Sequence, residues 1–180
     1  MIKVSKFLIF VTVLVCLTSS AFAAGETSSG TLTVTGTIDG TIKLTLETAT
    51  NGGGNNLTLG GVTSATKALG TISKTMTAPT DWSLSNTASD WTLASYVGVK
   101  VDKANVTSSN HTLAARLSST PTAGIAWSFG GTSLSTTNAN VTATGPYDSK
   151  SDYLLSINVA DTVGDGVAVD NTITLTATAN

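Results

Sequence analysis

Residues Asp81–Ser95 read DWSLSNTASDWTLAS and hold two of the chain's three tryptophans in a repeated Asp-Trp-[Ser/Thr]-Leu motif. Whether those indoles form a ligand platform or the middle of a core decides how everything around them is read. Successive strand residues point to opposite faces of a sheet. A turn over 86–89 leaves two short strands, 81–85 and 90–94, with Ser85 opposite Asp90, Leu84 opposite Trp91 and Trp82 opposite Leu93. All four apolar side chains then share one face, while Asp81, Ser83, Ser85, Asp90 and Thr92 take the other face or the ends. A slip of one residue would destroy that segregation. An indole facing a leucine is core material, each ring burying on the order of 150–250 Å². The segment therefore predicts a buried hairpin face. The competing reading leaves Trp82, Trp91 or Trp127 exposed to stack on a sugar.

Outward from this hairpin the same period of two recurs. TLTVTGTI (31–38) sets Leu32, Val34 and Ile38 against Thr31, Thr33, Thr35 and Thr37. Asp39-Gly40 is a dipeptide suited to a two-residue hairpin turn, and TIKLTLET (41–48) resumes the alternation with Ile42, Leu44 and Leu46. Further in-phase sets are Val97, Val99 and Val101; Leu113, Ala115 and Leu117; Ile125, Trp127 and Phe129; Tyr153, Leu155, Ile157 and Val159; and Ile173 with Leu175. Gly, Asn, Ser or Pro bounds each run, NGGGNN at 51–56 reads as a loop, and no stripe of helical period occurs after residue 23. The expected fold is all-β: an antiparallel β-sandwich, Greek-key or Ig-like, of about ten short strands.

The first 23 residues stand apart. Lys3 and Lys6 precede the apolar run FLIFVTVLVCL, and Ala21-Phe22-Ala23 is a small-x-small cleavage signal. The expected organisation is a signal peptide over 1–23, a flexible segment over 24–30 and one β-sandwich domain over 31–180, located outside the cell or on its surface, with periplasmic transit in a Gram-negative host. Cys16 leaves with the peptide, so no disulfide supports the fold. Removing Lys3 and Lys6 from nine basic residues leaves seven against eleven acidic ones, and the chain has 34 threonines and 21 serines. A hydroxyl-rich, mildly acidic surface lacks the clustered Lys and Arg that nucleic acid demands. After the signal peptide no segment approaches the ~18 apolar residues of a membrane span.

Little in the chain suggests reaction chemistry. His111 is the sole histidine, in SSNHTLAA at an expected strand start, and reads as a solvated loop-edge residue rather than part of a zinc site or a triad. Arg116 is out of phase with its apolar neighbours and is expected to point outward. Asp81 and Asp90 could flank a glycoside, but aspartate beside a turn is ordinary turn chemistry. Asp161, Asp165 and Asp170, in DTVGDGVAVDN, could offer oxygens to a calcium ion. Their spacing does not fit an EF-hand loop, and a plain acidic loop is the preferred reading. No cofactor is expected.

The paired Trp-x-Leu resembles the signature of WxL cell-wall-binding domains, which implies Trp82, Leu84, Trp91 and Leu93 as motif residues. Over most of its length the chain resembles secreted bacterial pilin-like and spore-coat-like β-sandwich subunits: a signal peptide, Thr/Ala/Gly-rich alternating strands, few charges and a strand at the chain's end. The expected function is a structural surface protein, not an enzyme, that self-associates or joins other surface subunits. Thr31, Leu32, Thr33, Val34, Thr35 and Ile38 would act as a donated assembly strand, because β-augmentation needs only alternation and a free ladder edge. The alternative is a carbohydrate- or cell-wall-binding module using Trp82, Trp91 or Trp127, with polysaccharide as partner.

Overall fold

A computed structural model describes residues 35–36 and 39–180. These contain ten strands and no helix: β1 (Thr41–Thr48), β2 (Gly60–Val62), β3 (Ser83–Asn86), β4 (Asp90–Ala104), β5 (Asn110–Leu117), β6 (Ile125–Phe129), β7 (Thr132–Ser133), β8 (Ala139–Pro146), β9 (Lys150–Ala160) and β10 (Ile173–Ala179). All ladders between them are antiparallel, in a seven-stranded sheet ordered β2-β1-β4-β9-β6-β7, with β3 also on β4, and a three-stranded sheet ordered β10-β5-β8. The all-β antiparallel expectation holds in these residues. The signal peptide, the 24–30 segment and most of 31–38 lie outside the described residues.

The tryptophan hairpin forms with its register moved by two residues. Leu84 lies opposite Leu93, Ser85 opposite Thr92 and Asn86 opposite Trp91. Turn chemistry accounts for the move: the Thr87 hydroxyl accepts the N–H of Ser89 and of Asp90 at 3.3 and 3.1 Å, and Thr87 N–H donates to Asp90 O at 2.9 Å. The reversal is thereby drawn toward Asp90. A shift of two preserves the side-chain parity that a shift of one would invert. Leu93 is fully buried, Trp82 and Trp91 are each 7% exposed, and Leu84 packs against the same core.

Strand β4 runs on well past the hairpin. It is fifteen residues long, and Trp91, Leu93, Ser95, Val97, Val99 and Val101 are all buried along one face. The sequence suggested two strands here, because Ser95 interrupts the apolar row. On one side β4 pairs with β9 from Asp90 to Lys100, setting Trp91 opposite Val159 and Leu93 opposite Ile157. On the other side β3 covers its first part and β1 its last, from Val97 to Ala104. Between β3 and β1, residues 55–57 complete the edge: Tyr96 N–H donates to Asn55 O at 2.8 Å, and Leu57 N–H donates to Tyr96 O at 2.9 Å.

Residues from both sheets form one hydrophobic cluster, in which Leu113, Ala115 and Leu117 of β5 join Ile125, Trp127 and Phe129 of β6 and Leu155, Ile157 and Val159 of β9. Phe129 stacks on Tyr153 with centroids 5.4 Å apart. The β6–β7 turn consists of Gly130 and Gly131, with φ of 58° and 80°. Positive φ at both central residues suits the right-handed twist of a hairpin and selects glycine.

Each indole fills core volume that its neighbours cannot close. Trp91→Ala and Trp127→Ala should each cost ~3–5 kcal/mol in denaturant-determined stability. Wild-type tryptophan emission should be blue-shifted and resist aqueous quenchers.

Candidate functional site

Two places combine unusual backbone geometry with solvent access. The first is a seam. Strand β1 pairs with β4 along its whole length but with β2 only at Leu46 and Glu47, so Thr41–Thr45 have no ladder partner on the outer side among the described residues. Strand β10 pairs with β5 over seven residues and forms the other sheet's edge. These two edges approach each other with no ladder between them. Backbone donors and acceptors on such edges are available to an added strand. Thr174, Thr176 and Thr178 along β10 are exposed, as is Lys43 on β1.

The second is the loop at 51–57, held against β4 by a compact set of bonds. Ser95, 1% exposed, places its hydroxyl against Asp81 O at 2.5 Å and Asn55 O at 3.2 Å. Asp81 adopts a left-handed φ of 71°, uncommon for a non-glycine residue, and its carboxylate accepts Thr58 N–H at 3.2 Å. Asn56 Nδ2 donates to Asn51 O at 3.1 Å, Asn51 Oδ1 accepts Gly53 N–H at 3.1 Å, and Thr50 N–H donates to Asp152 Oδ2 at 2.8 Å. The polar residue in the middle of β4's inward row is thus a fastening for the loop. Asp81 serves that fastening, and Asp90 begins β4 beside the Thr87 turn.

Of the expected assembly strand, Thr31, Leu32, Thr33, Val34 and Ile38 lie outside the described residues; Thr35 is described, exposed and in no strand. Trp82, Trp91 and Trp127 are each 7% exposed, so these indoles line the core and form no exposed row for a sugar. Asp161, Asp165 and Asp170 are not brought together. Among the described residues no three His, Cys, Asp or Glu side chains converge. Asp161 pairs instead with Lys74 at 2.6 Å, and Asp165 Oδ1 accepts Gly166 N–H at 3.0 Å. Arg116 is exposed, as its phase requires.

His111 departs from its expected solvated position: it is 4% exposed. Strand β5 begins at Asn110, which puts His111 in phase with Leu113, Ala115 and Leu117 on the inward face. The strand expected to start at His111 already carries that parity; the solvated expectation rests on the polarity of the imidazole and not on the alternation. Opposite His111 lies Gly145, where any Cβ would overlap the imidazole. The ring tilts 47° to Tyr147 at 5.2 Å, and Lys103 Nζ sits 4.8 Å from the Tyr147 centroid. Nδ1 is buried without a hydrogen-bond partner. Burial pushes the imidazole pKa below its ordinary value of 6.5, since an imidazolium there would lose its hydration.

Comparison with protein-family models, with curated proteins and with solved structures gives no significant match.

Because the folded state takes up the His111 proton less readily than the unfolded chain does, lowering the pH through 6.5 favours unfolding. The wild type should lose stability from pH 7.5 to 5.5, above the range in which ordinary carboxylates titrate. His111→Leu should flatten that part of the profile, measured by denaturant midpoint. Gly145→Ala should destabilise by displacing the ring.

Proposed function

We propose that the protein is a secreted structural surface subunit, pilin-like in build, that associates with further copies or with other surface subunits by adding a strand to an open sheet edge. The observation that carries this reading is the seam between β1 and β10, which has no ladder across it among the described residues. Chain connectivity points the same way, since the alternating segment 31–38 joins the described fold through Asp39-Gly40, next to the start of β1. Such a segment can fold back on its own β1 or be exchanged between copies. Backbone pairing supplies the affinity, and alternating Leu32, Val34 and Ile38 supply the register.

An export signal, few charges and a hydroxyl-rich surface fit a protein whose work is contact rather than turnover. Association should appear in light scattering of the chain from Ala24 as species larger than a monomer at high concentration. Deleting residues 24–38 should leave a monomer of lowered melting temperature, which a peptide spanning 30–38 raises again. A mature chain that stays monomeric at high concentration, with the deletion merely lowering stability and the peptide without effect, would rule out strand exchange.

A further inference from the structure

The loop at 51–57 and the outward face of β4 enclose a groove of about 340 Å³, at the lower end of the size range of small-ligand sites. Its floor follows from strand parity. With Trp91, Leu93 and Ser95 inward, Ala94 and Tyr96 face outward; Leu154 lies opposite Tyr96 and Ser83 opposite Ala94. Tyr96 and Leu154 are both half-buried, an aromatic and an aliphatic side by side on a face otherwise dominated by short polar groups.

The wall is the backbone of Gly52, Gly53 and Gly54. Gly54 has a packing reason to be glycine, because a Cβ would overlap the Tyr96 ring, only 2.6 Å from Cδ2. Gly52 and Gly53 have none. Neither has positive φ; a Cβ on Gly52 would meet nothing within 4 Å, and one on Gly53 would meet only Asn51 Oδ1 at 3.9 Å. Glycine raises the entropy cost of ordering a loop, so it is expected where the conformation demands it or where something must approach the backbone closely. The conformation does not demand it at 52 or 53. What remains is bare amide backbone at the rim of a groove.

Among the described residues the N–H groups of Gly52, Gly54 and Asn55 make no hydrogen bond, and neither do the Asn55 side chain and the Tyr96 hydroxyl. The Ser95 fastening holds the loop in place, which lowers the ordering cost of binding. No lining residue is Asp, Glu, Lys, Arg or His, so the groove suits an uncharged ligand. An apolar ring surface beside a row of amide donors and acceptors matches a pyranose, whose axial C–H face is apolar and whose rim is hydroxyl. We infer that this groove binds a neutral hexose unit of an oligosaccharide, its C–H face against Tyr96 and Leu154 and its hydroxyls on the glycine-loop backbone and Asn55. This site is independent of the seam and uses none of the tryptophans.

An amide chemical-shift titration of the ¹⁵N-labelled chain with cellotriose, maltotriose and triacetylchitotriose at millimolar concentrations tests it. At least one sugar should give saturable shifts concentrated at residues 52–55, Ser83 and Tyr96. Gly53→Leu, whose side chain enters open space, should keep the wild-type melting temperature and abolish those shifts. Tyr96→Leu should retain the fold and weaken binding by about tenfold, the loss of a modest aromatic contact. Absence of saturable shifts with all three sugars, or shifts that persist unchanged in Gly53→Leu, would overturn the assignment.

Discussion

The inward row of β4 is the constraint on which the structure depends. Trp91, Leu93, Ser95, Val97, Val99 and Val101 occupy alternate positions of one strand, all buried, and β4 is flanked on both sides by other chain segments. Burying apolar area at roughly 25 cal/mol per Å² favours this parity so strongly that ladders can move along the strand only in steps of two. Partners β9, β3 and β1 then inherit their facing from it. In a mature chain expected to have no cysteine, such burial and the ladders beside it carry the stability that cross-links supply elsewhere.

The opposite face of the same strand gives the groove its floor. Tyr96 points outward because Ser95 and Val97 point inward, and Leu154 meets it because the β4–β9 register sets them opposite. Ser95 links the two faces: its side chain belongs to the buried row, yet its hydroxyl reaches the backbone of Asp81 and Asn55 and so fixes the glycine loop. A hydroxyl within an apolar row is tolerated when it is satisfied, and here one of its partners, Asn55, also lines the groove. At Thr41–Thr45 of β1 and along β10 the sheets present a different kind of surface, backbone with no ladder partner on its outer side among the described residues.

Strand parity was the legible part of the sequence. The in-phase sets at 113–117, 125–129 and 155–159 are buried where alternation placed them, and the faces of the tryptophan hairpin are as expected. Three features were hidden for separate reasons. The continuity of β4 was masked because Ser95 breaks the apolar row while staying in phase. The hairpin register depended on Thr87 capping the turn, a local bond that periodicity does not contain. A lone histidine after SSN reads as a loop edge, whereas His111 shares the parity of Leu113, Ala115 and Leu117 and so lies inside. The groove was not legible at all. NGGGNN identified a loop, but nothing in the sequence says that this loop lies across Tyr96, since that placement depends on residues 55–57 filling the gap between β3 and β1.

An aspartate scan along β4, read as the denaturant midpoint of each variant, addresses the inward row most directly. Aspartate at Leu93, Val97 or Val99 would bury an unpaired charge and should leave little folded protein, whereas at Thr92 or Ala94 it should cost about 1 kcal/mol or less. A smooth profile, or one in which the even positions are the intolerant ones, would contradict the assignment of β4 as the strand whose odd residues form the core.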